Sequence, residues 1–493
     1  MTRKFNKLFE GIIHNIDSDV WNSAIADSDE LSTAVRLMKE IKKRFPEGEI
    51  YIVGGVPRDI LTGDDVDDVD LATNISFEEL SEFYELKNIS KSDSQPVYKI
   101  NYGGFSLDLA QFRVDLGGAI GRNTNVSTLT NNFEADTKRR DLTINSFGLN
   151  EMGEIVDYQG GIEDLKNKII KTVGVAHDRF MEDATRILRV ARFAAKMGFD
   201  IESETKKTMV ELRHILNDRR LISVESIAKE FYKASKSGPV LRRFVEHLLD
   251  TRIAHDIIPE LTAMEDMWHD TEHHPEADGN VLGHILECLS VSPFKDPVVN
   301  LAILFHDFGK AVTQEFKNDD SKISSFHGHE GAGVSIVNSI FERLRFNELT
   351  SSDKACILNA VEKHMLIHNL PQLNIKTLTK LVNTPCWDVL TKVAYADEAS
   401  RGSKFDADTF YKKVKAAEAN VAKLGDENTL RVKIKSIIDG GKLMEWFPEL
   451  KENPKDIGTV LPQLQEYVLN KLNDNITPTE TELLTLAKDI LKK

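Results

Sequence analysis

Residues 50–74 constrain the fold of this chain more than any other stretch. They begin with an apolar run, Ile50–Val53, whose length and β-branched content predict a buried strand. Gly54 and Gly55 end the run, and Pro57 then predicts the first turn of a helix. The stretch therefore predicts a strand, a glycine turn and a short helix in immediate succession.

An acidic run follows this unit and leads into the next apolar segment. On a strand, Asp68 and Asp70 would point to the same face, because side chains alternate. Two adjacent carboxylates repel each other unless a divalent cation lies between them, and Mg²⁺ prefers such oxygen ligands and binds phosphates as well. The glycine N–H groups and the guanidinium of Arg58 suit a phosphate chain. A nucleotide–metal site is predicted from the two features together. Alone, a Gly-Gly pair after a strand is more often an ordinary turn, and an acidic run is more often a solvated loop. The remaining acidic residues are interpreted as turn residues: Asp64, Asp65 and Asp67.

Residues 97–112 predict a β-hairpin around an Asn-Tyr-Gly-Gly turn. In its second strand Phe105, Leu107 and Leu109 face one way and Asp108 the other. Asp108 is then free to join Asp68 and Asp70 across a sheet; a solvated strand residue is the alternative.

Residues 180–199 carry an apolar stripe at helical spacing, with a polar side that includes Asp183, Arg186 and Arg189. The simpler interpretation is an amphipathic helix with a stabilising Asp–Arg pair. The functional interpretation is that a carboxylate and a guanidinium together match cytosine and adenine. Both bases present an amino donor beside a ring-nitrogen acceptor, whereas uracil and guanine leave mismatched polar groups.

Joined in this order, the motifs GG-x-x-RD, D-x-D, RRD-x-T-x-N and ED-x-x-R resemble those of the class II nucleotidyltransferases. These are the tRNA CCA-adding enzymes and bacterial poly(A) polymerases of the polymerase β superfamily. The resemblance implies an α+β fold, with a small mixed sheet in the head and a helical neck and body. It implies Mg²⁺ in the head, held by Asp68 and Asp70, with Asp108 as a third catalytic carboxylate. It implies nucleotide-binding roles for Gly54, Gly55, Arg58, Arg139, Arg140, Asp141, Asn145, Asp183, Arg186 and Arg189. Within this set, Arg139 or Arg140 would contact the triphosphate or primer, Asp141 would orient an arginine or the ribose, and Asn145 would support its loop.

A histidine-rich region begins near residue 268. An apolar helix ending in His-Asp-x-Gly-Lys, with a histidine before it and an aspartate far after it, resembles the HD phosphohydrolase superfamily. The implied metal ligands are His284, His306, Asp307 and Asp397. Imidazole and carboxylate together suit Mg²⁺, Mn²⁺, Ni²⁺ or Co²⁺. Further candidates for a metal or phosphate contact are His327, His329 and His364.

The order of these motifs resembles that of the multifunctional CCA-adding proteins of gamma-proteobacterial type. We expect addition of CCA to tRNA 3′ ends from CTP and ATP, with a phosphatase or 2′,3′-cyclic phosphodiesterase activity in the HD region. The alternatives are a poly(A) polymerase and an HD phosphohydrolase with a degenerate RNA-binding head. Six segments are expected: a helical N-terminal extension (1–48), the head (49–175), the neck (176–222), the body (223–267), the HD domain (268–402) and a helical tail (403–493).

Composition limits the environment in which the chain works. The net charge of −16 argues against a protein that coats nucleic acid indiscriminately. No apolar stretch approaches the roughly 20 residues of a membrane span, and the first residues lack the apolar core of a signal peptide. Three widely spaced cysteines, Cys288, Cys356 and Cys386, predict reduced thiols. A cytoplasmic location is expected.

Overall fold

The structure is a computed structural model that describes most of the chain. The described residues are 13–66, 68–90, 96–115, 127–269, 279–316, 324–402, 405–451, 454–473 and 476–491. The beginning of the expected N-terminal extension (1–12) and Asp67 of the acidic run lie outside these residues.

Strands are concentrated in the first third of the chain, and helices dominate the rest. The strands are β1 (Ile13–Asn15), β2 (Ile50–Val53), β3 (Asp70–Thr73), β4 (Leu86–Asn88), β5 (Val97–Tyr102), β6 (Phe105–Gln111), β7 (Arg113–Asp115), β8 (Ser127–Leu129), β9 (Gly148–Leu149), β10 (Glu154–Val156), β11 (Ile169–Ile170), β12 (Asp200–Ile201), β13 (Glu315–Phe316) and β14 (Ser324–Ser325). The helices up to residue 262 are α1 (Ser18–Asp27), α2 (Asp29–Arg44), α3 (Val56–Thr62), α4 (Phe77–Ser81), α5 (Phe133–Lys138), α6 (Gly161–Lys166), α7 (Ala176–Glu182), α8 (Thr185–Met197), α9 (Ser203–Leu212), α10 (Val224–Ala234), α11 (Gly238–Asp250), α12 (Ile253–Ile257) and α13 (Pro259–Thr262). Those that follow are α14 (Val281–Val291), α15 (Pro297–Phe305), α16 (His329–Leu344), α17 (Ser351–Ile367), α18 (Ile375–Val382), α19 (Trp387–Ser400), α20 (Ala407–Ile437), α21 (Gly440–Trp446), α22 (Pro454–Asn473) and α23 (Glu480–Leu491). Short 3₁₀ helices cover Thr143–Asn145, Arg213–Asn217, Phe308–Val312, Leu370–Gln372 and Pro448–Lys451. The predicted α+β class, with a mixed-sheet head and a helical remainder, is confirmed.

The head is built on an eight-stranded sheet in the order β1-β10-β9-β2-β3-β6-β5-β4. The pairing of β3 with β6 is parallel, and the other described pairings in this sheet are antiparallel. The predicted hairpin is present as β5 and β6, joined through Gly103 and Gly104. Leu107 and Leu109 lie in the core, as predicted from the alternation. Leu107 and Leu109 thus face the main apolar core, and the opposite face of the sheet carries Asp108 together with a smaller apolar cluster that includes Val53 and Ala72.

The N-terminal segment differs from the helical extension expected over 1–48. Its first described element is a strand, β1, which pairs with β10 at the edge of the head sheet. Helix α2 begins at the Ser28 cap and buries Leu31, Val35 and Met38 in the same core as the sheet residues. Sequence periodicity detected the helices but missed the strand, because only three residues pair there.

The chain forms two compact units. The first comprises residues 1–364 and 388–405, and the second comprises 365–387 and 406–493. Residues 365–387, which we expected in the HD domain, thus group with the C-terminal helices. The second unit has its own apolar core, which includes Ile438, Leu464 and Leu483.

Two expectations about the environment of the chain have different outcomes. No described helix is both long enough and apolar enough to cross a membrane. Cys288 is a free, buried thiol, whereas Cys356 and Cys386 are disulfide-bonded, so the prediction of three reduced thiols is wrong for two of them.

Candidate functional site

The glycine turn after β2 lies close to the carboxylate of Asp70. Gly54 has a φ of +80°, which a residue with a side chain rarely adopts, and a Cβ there would lie 3.3 Å from Asp70 Oδ2. Helix α3 then begins, with Pro57 in its first turn, as predicted. The glycine turn therefore lies next to the carboxylate of Asp70.

Arg58 is buried, and the structure gives its donors internal partners. Nε and Nη2 donate to Asp59 Oδ1 at 2.9 and 2.6 Å, and Nη1 donates to Asn145 Oδ1 at 2.5 Å. Its guanidinium also lies 5.2 Å from the centre of the Phe193 ring. The structure therefore does not bear out an Arg58 fork that is exposed for a phosphate. Arg58 instead ties the start of α3 to the loop of Asn145.

The aspartates of the acidic run occupy different local structures. Strand β3 begins at Asp70, and Asp68 precedes it with a φ of +52°, so the prediction that both lie on one strand is wrong. Asp70 lies opposite Asp108 in the parallel β3–β6 pair. Desolvation by the surrounding sheet raises the pKa of Asp70 to about 6, and repulsion from Asp108 and Asp68 adds to the shift. The carboxylates are therefore close enough to repel one another.

A basic cluster adjoins the carboxylates. Arg139 donates through Nε to Asp136 Oδ1 at 2.9 Å, and Arg140 donates through Nη2 to Asp136 Oδ2 at 3.0 Å. The side chain of Asp136 is fully buried. Burial alone would raise its pKa, but the two guanidinium groups hold the pKa of Asp136 below its ordinary value. One carboxylate thus fixes both arginines beside the sheet.

The helix expected over 180–199 is two helices, with Asp183 between them. Asp183 has an extended backbone at the end of α7, and its Oδ1 accepts a hydrogen bond from Thr185 N at 3.0 Å. Its carboxylate therefore accepts the N–H of the first residue of α8, and Ala184 is the N-cap residue of that helix. Because the helix is interrupted here, helical periodicity does not relate Asp183 to Arg186.

The arginines of α8 are held by carboxylates from three different elements. Arg186 Nη1 donates to Glu182 Oε2 at 2.7 Å, and its Nη2 donates to the Arg139 carbonyl at 2.9 Å. Arg189 Nε donates to Asp141 Oδ2 at 2.6 Å. Burial alone would raise the pKa of Asp141, but the positive charge of Arg189 holds this pKa below its ordinary value.

The third arginine of this series, Arg192, is buried on the same helix. Its Nε donates to Glu230 Oε2 at 2.5 Å, and Glu230 lies on α10. Lys233 Nζ lies 3.4 Å from Glu230 Oε1. Burial alone would raise the pKa of Glu230, but Arg192 and Lys233 lower it below its ordinary value.

Two cavities meet at Arg139 and Arg140. The larger, about 250 Å³, is lined by Arg139, Arg140, Asp141, Asp183, Thr185, Arg186, Arg189, Ser226, Lys229, Glu230 and Lys233. The other, about 240 Å³, contains Asp70 and Asp108 and is lined by the same two arginines. The basic pair therefore lies between the carboxylates of the sheet and the polar cavity of α8. Eight of the eleven predicted nucleotide-binding and catalytic side chains outside the glycine turn line these two cavities, and Asp68, Arg58 and Asn145 do not.

A second polar cluster lies in the buried interior of the histidine-rich region. His284 Nε2 lies 3.4 Å from Asp397 Oδ1 and 3.7 Å from Asp307 Oδ2. His306 Nε2 lies 3.3 Å from Asp307 Oδ2. Ligand atoms of His284, Cys288, His306 and Asp397 all lie within 4.8 Å of one another, so the predicted residues are brought together.

Asp307 also connects this set to a second one. His329 Nε2 and His364 Nε2 lie 3.4 and 3.7 Å from Asp307 Oδ1, and 3.4 Å from each other. Lys310 Nζ lies 2.6 Å from Asp307 Oδ2. Burial alone would raise the pKa of Asp307, but Lys310 and His306 hold this pKa well below its ordinary value.

The histidines are oriented as metal ligands usually are. Nδ1 of His306, His329 and His364 lies 2.7, 2.9 and 3.0 Å from the carbonyl of Ile303, Phe326 and Val361, respectively. A backbone carbonyl accepts from Nδ1–H and leaves Nε2 directed at the carboxylates. Burial, with the nearby charge of His306, lowers the pKa of His364 to about 3, so this imidazole is neutral. Several ligand atoms converging on Asp307 fit one or two divalent cations.

Close backbone packing places one of these ligands. A Cβ on Gly309 would lie 1.8 Å from the carbonyl oxygen of His329, so only glycine allows the His-Asp-x-Gly-Lys turn to approach α16. His327, by contrast, is exposed and belongs to neither ligand group among the described residues. Of the three further histidine candidates, His329 and His364 join the cluster and His327 does not.

Asp141 was expected to orient an arginine or the ribose, but the other acidic partners of the arginines, Asp136, Glu182 and Glu230, were not predicted from the sequence. Asp136 precedes Arg139 and Arg140 by three and four positions, and Glu182 precedes Arg186 by four, so helical spacing was an available signal for both. Glu230 is far from Arg192 in sequence, and no local pattern indicates their pairing.

Two family matches agree with these two clusters. Residues 50–171 match the poly(A) polymerase head domain, and residues 279–439 match the HD domain. The regions that match these two domains follow one another in the order predicted from the motifs.

The similar proteins include CCA-adding enzymes. A CCA-adding enzyme of Lactobacillus delbrueckii subsp. bulgaricus is 38% identical over 200 residues, which are 41% of this chain and 50% of the relative. The chain therefore matches about half the length of that curated relative. The crystal structure of the Bacillus stearothermophilus CCA-adding enzyme in complex with CTP superposes with a TM-score of 0.56 at 21% identity, covering 89% of this chain and 92% of that chain. The Thermotoga maritima CCA-adding enzyme complexed with tRNA_CCA gives a TM-score of 0.51 at 16% identity, covering 98% of this chain and 100% of that chain. This chain shares the fold of these enzymes.

Proposed function

We propose that this protein adds C, C and A to the 3′ ends of tRNA, without a template, from CTP and ATP. The observation that carries the proposal is the shared wall of the two cavities. Arg139 and Arg140 line both the carboxylate cavity and the α8 cavity, so one nucleotide can place its phosphates at the carboxylates and its base at α8. The activity named for the Lactobacillus relative, and the CTP and tRNA named for the two solved structures, support the same proposal.

In the proposed reaction Asp68, Asp70 and Asp108 would hold Mg²⁺. Desolvation and the repulsion from Asp108 and Asp68 raise the pKa of Asp70, and a divalent cation would relieve that repulsion, so the donor set fits the ion. When bound, Mg²⁺ supplies activation of the primer 3′-OH, alignment of the α-phosphate and charge neutralisation at the leaving pyrophosphate.

The basic residues neutralise and orient the triphosphate. Arg139 and Arg140 present guanidinium donors that Asp136 has already fixed, so little side-chain entropy is lost when a phosphate binds. Gly54 lies beside Asp70, and the backbone N–H groups of Gly54 and Gly55 would donate to the phosphate chain. Arg58 acts through Asp59 and Asn145 as a positioning residue for this turn.

Base selection is assigned to Asp183 and Arg186. A carboxylate accepts from the N4 amino group of cytosine or the N6 amino group of adenine, while a guanidinium donates to the adjacent ring nitrogen. Uracil and guanine reverse this pattern and leave buried polar groups unmatched, at a cost of about 1–3 kcal/mol for each group. Asp141 keeps Arg189 directed along the same wall.

The decisive experiment uses purified protein and tRNA that lacks its terminal nucleotides. Each nucleoside triphosphate is supplied singly, and then CTP is supplied with ATP. Incorporation of C and A alone, ending after three nucleotides, supports the proposal. A long A tail would instead identify a poly(A) polymerase, and no incorporation would favour a degenerate RNA-binding head. As tRNA is the proposed substrate, a cytoplasmic location belongs to the same proposal.

A second activity is proposed for the HD domain, namely metal-dependent phosphohydrolysis of a phosphomonoester or a 2′,3′-cyclic phosphate. It rests on the buried ligand set around Asp307. His284, His306, Asp307 and Asp397 would hold a divalent ion of the Mg²⁺, Mn²⁺, Ni²⁺ or Co²⁺ type, which supplies a Lewis acid and an activated water. Lys310 is held next to Asp307, where its charge would attract the phosphate.

Hydrolysis of a chromogenic phosphomonoester and of 2′,3′-cyclic AMP tests this activity. His306→Ala should abolish both, whereas His327→Ala, an exposed histidine in the same region, should leave both unchanged. Retention of hydrolysis in His306→Ala would refute the assignment without affecting CCA addition.

A further inference from the structure

Five side chains, one apolar and four charged, form a row across one face of the head sheet. The strand register places Val53 opposite Asp70, Asp70 opposite Asp108, Asp108 opposite Lys99, and Lys99 opposite Lys87. Directly paired residues of neighbouring strands share a face, and the strands lie about 4.8 Å apart. The two lysines are therefore one and two strands away from Asp108.

Lys99 makes an ion pair with the last carboxylate of the row. Its Nζ lies 3.0 Å from Asp108 Oδ1, and both side chains are about 40% exposed. Two lysines directly opposite each other repel, so Lys87 does not stabilise this position of Lys99. The carboxylate of Asp108 stabilises Lys99 in this position.

We propose that Lys99 is the built-in counter-cation of the head carboxylates. It holds Asp108 in the metal-free protein and must release this carboxylate before Asp108 becomes a metal ligand. Lys99 thereby sets the metal concentration at which the site fills. This inference rests on the metal role of the head carboxylates in the proposed function.

The expected effect follows from the charge and its distance. Removing one positive charge in contact with Asp108 strengthens the attraction of the site for a divalent cation. Partly exposed ion pairs are weak, so the metal midpoint should fall by about two- to five-fold rather than by orders of magnitude. Removing Lys87, one strand farther away and more screened by water, should change the midpoint less.

The test measures Mn²⁺ binding to the full-length, nucleotide-free protein by the electron paramagnetic resonance signal of free Mn²⁺. The HD domain also offers ligands, so the head-bound fraction is defined as the binding that Asp70→Asn removes. Lys99→Met is compared with Lys99→Arg, which keeps the charge, and with Lys87→Met as the matched control. Each is repeated in an Asp108→Asn background.

We expect Lys99→Met to bind Mn²⁺ about two- to five-fold more tightly, Lys99→Arg to match the wild type, and the effect to vanish in the Asp108→Asn background. An unchanged or weaker affinity in Lys99→Met overturns the role of Lys99 while leaving the metal site intact. Equal Mn²⁺ binding by the wild type and Asp70→Asn removes the head metal site, and with it both proposals.

Discussion

Asp70 and Asp108 face each other directly on β3 and β6, which run parallel within a sheet whose other described pairings are antiparallel. This pairing holds two carboxylates side by side without any local sequence relationship between them. Desolvation, with the repulsion from Asp108 and Asp68, raises the pKa of Asp70 to about 6. Metal binding and phosphate chemistry are the functions that such an arrangement can serve.

Asp70→Asn should lower CCA incorporation by about 10³-fold or more, because the amide no longer supplies the charge that a divalent ion needs. The fold should remain intact by circular dichroism. Asp65→Asn, in the turn of the same acidic run, is the matched control and should retain activity. Substantial incorporation by Asp70→Asn would contradict the assigned role.

The stability of the metal-free protein should depend on the protonation of Asp70. Its folded-state pKa of about 6 lies above the ordinary value of 3.8, so the folded state binds the proton more tightly than the unfolded state does. This contribution to the unfolding free energy is present below about pH 4 and is lost as the pH rises to about 6. Urea denaturation in the presence of a chelator should show that the unfolding free energy of Asp70→Asn falls less than that of the wild type between about pH 4 and pH 6. An identical pH dependence in the two proteins would argue against the shift.

Asp136→Ala should destabilise the protein by about 3 kcal/mol, because it leaves Arg139 and Arg140 with uncompensated, largely buried charge. The measurement is the urea midpoint at pH 7. Glu134→Ala is the control, since Glu134 and Lys138 form an exposed pair whose loss should cost less than about 0.5 kcal/mol. Comparable effects of the two substitutions would mean that Asp136 does not stabilise the arginines.

Arg186→Ala should reduce the preference for CTP over UTP by about 5- to 100-fold, since the donor that matches the cytosine ring nitrogen is lost. Competition between the two nucleotides on one primer measures this ratio directly. Arg220→Ala, at an exposed arginine outside the cavity lining, should leave the ratio unchanged. A lower overall rate with the same ratio would show that Arg186 contributes binding but no selectivity.

His364→Ala should lower the amount of tightly bound divalent metal, because His364 directs a neutral Nε2 at Asp307. Metal analysis of the purified protein after dialysis gives the stoichiometry. His327→Ala should match the wild type, since this exposed histidine is outside the ligand groups. An unchanged metal content in His364→Ala would leave the second ligand set without a metal role.

The parts of the fold that follow local rules could be predicted from the sequence. The β5–β6 hairpin and the outward direction of Asp108 follow from side-chain alternation, and α3 follows from its glycine turn and proline. His306 and Asp307, two of the four proposed metal ligands of the HD domain, could be named because one contiguous motif carries both.

The remaining features depend on contacts between distant segments or on single backbone angles. The position of Asp183 between two helices was missed because apolar periodicity continues across the break. Asp68 was placed on a strand because a left-handed residue before a strand has no pattern of its own. The pairing of Arg192 with Glu230 joins α8 to α10, and neither helix alone signals it.

The parallel β3–β6 pair has a consequence for how the protein is made. Parallel strands cannot be joined by a tight turn, and here α4, β4 and β5 all lie between the two partners along the chain. The loop must close against chain entropy before Asp70 and Asp108 meet, whereas the β5–β6 hairpin can form locally. During synthesis the carboxylate cluster can assemble only after β6 has been translated and docked onto β3. Appearance of the head metal site would then report completion of the sheet rather than its beginning.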